Sequence, residues 1–387
     1  MDQKDFNSEQ EIPKQFRNFK EDFSISSPGR INMIGEHTDY NNGFVLPTAI
    51  DRTIELHFAA NASEFECKIY SKTYNKYFSF DLRKVSRSET AWENYILGVV
   101  SELQKQEKQL KGFDCIIESN LPVGAGVSSS AALECGMAFG LNKLFDLGLD
   151  RQTMAQLSQS AEHNYVGTKC GIMDQYASIL SRKDHLILLD CRSLKASFVP
   201  ADFKDYKLLL LNTRVSHSLA DSEYNSRRAE CEQVVEIVQK KYPEVSSLRE
   251  VNFDILEEVK NEISEVLYKR AHYVLEENDR VLRAVDAIEK GKIDEFGSLM
   301  YASHAGLRDE YEVSCKELDF LVDLSKDFDC IAGARMMGGG FGGCTINLIK
   351  SDEVDSFIEK AATAYSAEFD IQLQAIPVLP QEGTKVK

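Results

Sequence analysis

An α+β chain in two units is predicted by three features of the sequence. Residues from about 23 to 200 mix short β-rich runs with helically spaced segments, residues from about 215 to 325 are mostly helical in pattern, and the end returns to strand, helix, strand. At 387 residues the chain is also too long for one simple core. We divide it into an extension at 1–22, a first unit at 23–200 and a second at 201–387, the boundary falling where Pro200-Ala-Asp-Phe follows the run Leu186–Val199.

The elements follow from periodicity. Thr53–Ala59, Glu66–Tyr70, Phe113–Glu118 and Leu186–Leu189 are short and rich in β-branched, aromatic or aliphatic residues, as strands require. Residues 92–109, 128–145 and 151–164 carry helical spacing, and so do Glu223–Lys241, Glu262–Glu289 and Asp294–Leu307. Leu208–Leu211 has the length of a buried strand. Thr345–Ile349, Val354–Tyr365 and a short run to Leu379 form the closing strand, helix and strand. No internal repeat or low-complexity tract interrupts this order.

Composition narrows the function. Sixty-two acidic residues against 45 basic ones leave a net charge of −17, which repels nucleic acid and anionic membranes. No stretch approaches the roughly 20 apolar residues of a membrane span. Met1–Asp22 is polar and of mixed charge, unlike a secretory or transit segment. The nine cysteines are scattered singly with no C-x-x-C pair, against both a disulfide framework and a zinc site. A cytoplasmic monomer with reduced thiols is the expectation. An anionic ligand would need a local positive field built by the site itself.

Three segments concentrate chemistry. Pro28 to Pro47 packs Arg30, Glu36, His37, Thr38 and Asp39 among glycines. Carboxylates and an imidazole on glycine-permitted turns can grip several hydroxyls of a polyol; an acidic loop steadied by Arg30 would look the same. Leu121-Pro-Val-Gly-Ala-Gly-Val-Ser-Ser-Ser-Ala-Ala-Leu133 joins a strand to a helix. Its glycines free successive N–H groups, the serines supply a helix cap and the helix dipole adds positive charge, which together suit a nucleotide phosphate. It is not a Walker A loop, because no lysine lies between Gly112 and Asn142. A plain glycine turn before a capped helix remains open. Gly136 and Gly140, costly inside a helix, mark close helix contact. Gly338, Gly340 and Gly343 spell G-x-G-x-x-G, but a strand follows them rather than a helix, so a hairpin tip is expected and no dinucleotide site. Glu162 and Asp174, twelve residues apart with Gly167 and Gly171 between them, could hold a divalent cation or divide metal and base duties, although such a pair is more often on the surface.

Together these segments resemble the galactokinase branch of the GHMP kinase superfamily, from about Phe23 to the C-terminal strands. Gly29-Arg-Ile-Asn-Met-Ile-Gly-Glu-His-Thr-Asp-Tyr-Asn-Asn-Gly looks like its sugar signature, Pro122–Ala132 like the superfamily phosphate loop and Gly338–Gly343 like its third motif. Cys170-Gly-Ile-Met-Asp-Gln and Ser222-Glu-Tyr-Asn-Ser-Arg-Arg-Ala-Glu-Cys are further blocks of that kind. The resemblance implies a two-domain GHMP kinase fold, with a ribosomal protein S5 domain 2-like N-terminal domain, a ferredoxin-like C-terminal domain and the site in the cleft between. It implies transfer of phosphate from ATP to the C1 hydroxyl of α-D-galactose, the first committed step of galactose catabolism in the Leloir pathway.

The resemblance also implies roles. Glu36, His37, Thr38, Asp39, the Gly171 backbone and Tyr224 would hold the sugar. Gly124, Ala125, Gly126, Val127, Ser128, Ser129 and Ser130 would wrap the ATP phosphates, with Ser71 and Trp92 near the nucleotide. Ser130 and Glu162 would hold Mg2+. Asp174 would be the base, with Arg30 beside it keeping it ionised and favouring late proton transfer. Trp92 as a core aromatic remains open. Ala125, Asn42 and Met337 stand where relatives often have Gly, Asp and Thr; Asn42 could alter a sugar-loop hydrogen bond, and Met337 removes a hydroxyl. Two alternatives stand beside this reading: a kinase for N-acetylgalactosamine or arabinose, and a non-catalytic sugar sensor on the same fold.

Overall fold

The computed structural model describes residues 12–122, 124–216 and 220–387. In chain order its strands are β1 (Phe23–Asn32), β2 (Phe44–Val45), β3 (Pro47–Ala60), β4 (Glu66–Ser71), β5 (Lys76–Asp81), β6 (Phe113–Ser119), β7 (His185–Asp190), β8 (Lys195–Pro200), β9 (Tyr206–Ser216), β10 (Ile331–Met336), β11 (Gly342–Lys350), β12 (Gln374–Val378), β13 (Pro380–Gln381) and β14 (Lys385–Val386). The helices are α1 (Ala91–Lys105), α2 (Ser129–Leu144), α3 (Arg151–Ala161), α4 (Met173–Leu180), α5 (Ala220–Val238), α6 (Phe253–Val259), α7 (Glu265–Glu289), α8 (Ile293–Asp309), α9 (Lys316–Ser325) and α10 (Val354–Phe369).

The first sheet runs β14-β1-β3-β6-β4-β5, with β13 added to β3, and only β4 and β6 pair in parallel. A small sheet β2-β7-β8 contains the Leu186–Val199 hairpin. The second half carries the antiparallel sheet β10-β11-β9-β12, against which α8 and α9 pack. Helix α2 lies across β1 and β3, and its two glycines meet that sheet rather than another helix. A Cβ on Gly136 would come within 2.9 Å of Ser27 Cβ, and one on Gly140 would overlap the Phe58 ring. One hydrophobic core spans both halves, containing Ile31 and Leu133 as well as Val281, Phe296 and Ile346.

Three details depart from the sequence reading. The proposed loop from Pro28 is, as far as Asn32, the buried end of β1. Pro-Gly looks like a turn, but Pro28 and Gly29 sit where the β1–β3 register shifts, and a bulge tolerates proline. Residues 380–386 return to the first sheet, so the boundary at 200 does not cover the whole second unit; β13 and β14 are two-residue strands with no periodicity to read. The 1–22 extension is not wholly apart either, because Phe16 is buried against Tyr70 and Tyr77. Among the described residues no helix is long and apolar enough to cross a membrane.

Candidate active site

A cavity of about 350 Å3 opens between the phosphate loop, the sugar loop and the β10–β11 turn. Its floor is α4. Asp174, in the first turn of α4, takes two charge-assisted hydrogen bonds from Arg30, Nε to Oδ1 at 2.7 Å and Nη2 to Oδ2 at 3.0 Å. Arg30 comes from the end of β1 and also donates to Gly126 O at 2.6 Å, while its backbone N–H donates to Val127 O at 3.0 Å. One arginine therefore ties the phosphate loop to Asp174. Burial works against its charge, but Asp174, Glu36 and Asp39 outweigh that and hold its pKa above the ordinary value.

The phosphate loop alternates. Ala125 and Val127 point into the core, while Gly124 and Gly126, at φ +71° and +68°, leave exposed backbone that only glycine adopts without strain. Ala125 lies outside the positive-φ residues, so an alanine fits there. Ser128 occupies the N-cap position of α2, yet its side chain does not cap the helix; its hydroxyl donates to Asp174 Oδ2 instead. The expected cap is therefore absent, and the first N–H groups of α2 are left for a ligand.

Glu162 closes the next wall. The helix read over 151–164 ends at Ala161, and a single π-helical turn, Glu162–Val166, re-aims the Glu162 carboxylate into the cavity. It accepts from Gln175 Nε2 at 2.9 Å and interacts with Ser130. Burial, then the nearby Asp174, pushes its pKa up to about 7. Asp39 is raised to about 7 for the same two reasons. Four carboxylates (Glu36, Asp39, Glu162, Asp174) and one guanidinium line the cavity.

The sugar loop presents Glu36, His37 and Asp39 to the cavity, with Tyr224 of α5 opposite. Glu36 Oε1 accepts from Gly338 N–H at 2.8 Å and pairs with Arg335 at 3.0 Å. His37 lies 3.2 Å from Gly339 O through Nε2, which must donate, so Nδ1 accepts from the Tyr40 hydroxyl at 2.8 Å. Burial lowers its pKa to about 3, so the ring stays neutral. With both nitrogens engaged, His37 shapes the wall rather than offering a free donor. Thr38 does not face the cavity; its hydroxyl closes the loop onto Phe44 O at 2.6 Å. Gly171 lies behind Asp39, so close that a side chain would overlap its carboxylate. Ser71 and Trp92 stand outside the lining and are joined through Tyr74, which donates its N–H to Ser71 Oγ and stacks on the indole at 5.6 Å. The indole Nε1 is buried without a partner among the described residues.

Known proteins resemble this chain in sequence and in fold. The galactokinase galactose-binding signature matches residues 14–59, the GHMP kinases N-terminal domain residues 94–182 and the GHMP kinases C-terminal domain residues 284–367. The galactokinase of Thermosipho africanus is 42% identical over 94% of this chain and 99% of its own, and that of Thermotoga maritima 40% over 90% and 95%. The chain belongs to the galactokinase family of GHMP kinases. Lactococcus lactis galactokinase, solved with galactose, superposes with a TM-score of 0.90 at 34% identity over 94% of both chains. A mevalonate kinase at 19% identity and a TM-score of 0.62, over 93% of this chain and 99% of its own, shares the fold.

The three departures each fit their place in the fold. Asn42 adopts φ +59°, a conformation asparagine tolerates well, and Met337 turns its side chain into the core. The β10–β11 turn is the hairpin tip expected, and a Cβ on Gly338 would lie 3.3 Å from Gly126 O. Sequence reasoning missed Arg335, Glu277 and Glu134. Glu134 lies one turn after Ser130 on α2, fully buried with neither oxygen partnered among the described residues, and burial pushes its pKa well up. A glutamate four residues after Ser130 on the same helix face was the available signal.

Proposed function

We propose that the chain transfers the γ-phosphoryl group of ATP to the C1 hydroxyl of α-D-galactose, giving α-D-galactose 1-phosphate and ADP. The observation that carries this is Asp174, bonded at once to Ser128 of the phosphate loop and to Arg30 at the root of the sugar loop. A carboxylate so placed faces both substrates. It accepts the proton of the C1 hydroxyl, a hemiacetal and therefore more acidic than an ordinary alcohol, as the bond to phosphorus forms. Arg30 holds Asp174 in place and carries positive charge toward the transferring group.

On this reading the Gly124–Val127 main chain, Ser128, Ser129, Ser130 and the start of α2 receive the phosphates. Glu36 Oε2, which has no partner among the described residues, and Asp39 accept sugar hydroxyls, with Tyr224 and His37 shaping the pocket and Gly171 admitting Asp39. Ser71, Tyr74 and Trp92 offer an aromatic shelf for the base. A lining of four carboxylates and one guanidinium repels a bare polyanion, so ATP needs a cation with it. The oxygen donors Ser130 and Glu162 fit Mg2+, and a cation there would draw the proton off Glu162. Mg2+ supplies charge neutralisation of the phosphate oxygens when bound.

The test is ATP turnover with galactose, N-acetylgalactosamine, arabinose and no sugar, the product identified by phosphorus NMR. Galactose-dependent ADP formation with a 1-phosphate product is expected. Turnover with none of the sugars, alongside measurable galactose binding, would favour the sensor alternative.

A further inference from the structure

The sugar loop belongs to the first half of the chain, but its shape is held from the second. Two consecutive turns of α7 reach it. The Tyr273 hydroxyl donates to Glu36 O at 3.0 Å, Glu277 Oε1 accepts the Gly35 N–H at 2.9 Å, and Asn278 Oδ1 accepts the Phe44 N–H at 2.8 Å. Gly35 stands at φ +100°, directly before Glu36, so the Gly35 peptide sets the direction in which Glu36 leaves the chain.

Glu277 is fully buried and completely partnered. Besides Gly35 it accepts from the Ser303 hydroxyl at 2.6 Å and from Arg280 Nε at 2.7 Å. Burial opposes its charge, and Arg280 and Arg335 outweigh that, so it stays ionised. Arg335, also fully buried, pairs with Glu36 and donates to Asn32 O at 3.0 Å. The result is a buried row of alternating charge, Glu36, Arg335, Glu277, Arg280. It occupies Glu36 Oε1 and leaves Oε2 turned to the cavity.

We propose that Glu277 is a positioning residue for sugar binding, fixing the Glu36 carboxylate through the Gly35 peptide and through the field that seats Arg335. This rests on the reading of Glu36 as an acceptor of sugar hydroxyls. Helix α7 then does more than pack the two halves together: it sets the geometry by which the first half recognises its substrate.

The experiment is a double-mutant cycle between Glu277→Gln and Glu36→Gln, read by calorimetric galactose binding and by steady-state kinetics on the full chain. Glutamine keeps the size of Glu277 and an acceptor for Gly35 while removing the charge. Glu277→Gln is expected to weaken galactose binding and raise its KM about tenfold, with kcat and the KM for ATP within about twofold, and to have little further effect once Glu36 is glutamine. Equal weakening in both backgrounds, or a parallel fall in kcat and in ATP affinity, would overturn the proposal and leave Glu277 a structural residue. If Glu36→Gln alone leaves galactose affinity unchanged, the role of Glu36 has failed and the proposal with it. Should Glu277→Gln not fold, Tyr273→Phe carries the same cycle: it removes one hydroxyl that donates to Glu36 O, with about a threefold loss of galactose affinity expected only while Glu36 is present. No such dependence on Glu36 would overturn the proposal.

Discussion

The two loops that meet at Asp174 are built in opposite ways. The phosphate loop is open: Gly124, Gly126 and Ser129 are exposed, its backbone carries the recognition, and Ser128 withholds its cap from α2. The sugar loop is closed. Met33 to Asp39 is buried throughout, and its backbone is held by side chains of α7. Phosphates present charge and many acceptors, so N–H groups and a helix dipole suffice to hold them. Sugars differ by the direction of single hydroxyls, so acceptors must stand still to tell them apart. An open loop can adapt to its ligand, whereas a closed one selects.

The largest expected effect falls where the loops join. Asp174→Asn should lower kcat about a thousandfold while galactose binding stays measurable by calorimetry; near-normal turnover would end its role as base. On the phosphate side, Glu162→Gln should raise the Mg2+ concentration needed for half-maximal rate about tenfold or more and leave the KM for galactose nearly unchanged. An unchanged Mg2+ titration would remove Glu162 from that side. On the sugar side, Glu36→Gln should raise the galactose KM about tenfold with little change for ATP, sharpening the contrast.

Protonation offers a subtler comparison, because Asp39 and Glu162 stand one on each side and both are raised to about 7. A carboxyl raised above its unfolded value binds its proton more tightly when folded. Its destabilising cost is absent at low pH and grows as pH rises from about 4 through about 7. Asp39→Asn and Glu162→Gln should each therefore gain more in melting temperature over the wild-type, ligand-free chain at about pH 8 than at about pH 5. Equal gains at both would show that burial does not hold these protons. His37 stays neutral down to about 3, so it adds no change of its own to a ligand-bound profile above about pH 5. The smallest effect expected is at Ala125. Loss of its buried methyl in Ala125→Gly should cost about 1 kcal/mol in denaturant unfolding and leave both KM values within about twofold.

Much of this architecture was legible in residue order. Local rules suffice for the phosphate loop, because Gly-Ala-Gly between a strand and a serine-led helix needs no distant partner. The hairpin tip at Gly338–Gly343 was readable because Cys344–Ile349 is apolar and β-branched. Glu36, Asp39, Glu162 and Asp174 stood out by their company, and the cavity gathers all four. Thr38 was grouped with them by proximity in sequence, but its hydroxyl turns inward to Phe44. Pro28-Gly29 imitated a turn because a β-bulge uses the same residues.

Composition and local pattern determined the element types, the acidic character and the kinds of chemistry on each loop, since each depends on residues within a turn or two. Tertiary structure alone decided the partners. The hydroxyl of Ser128 goes to Asp174 rather than to its own helix, and β13 and β14 return to the first sheet. Arg335 and Glu277, roughly 300 and 240 residues beyond the loop they brace, reach it only once the core has closed. Such buried charges are stable only as a set, and neither Arg335 nor Glu277 has a local signal in the sequence.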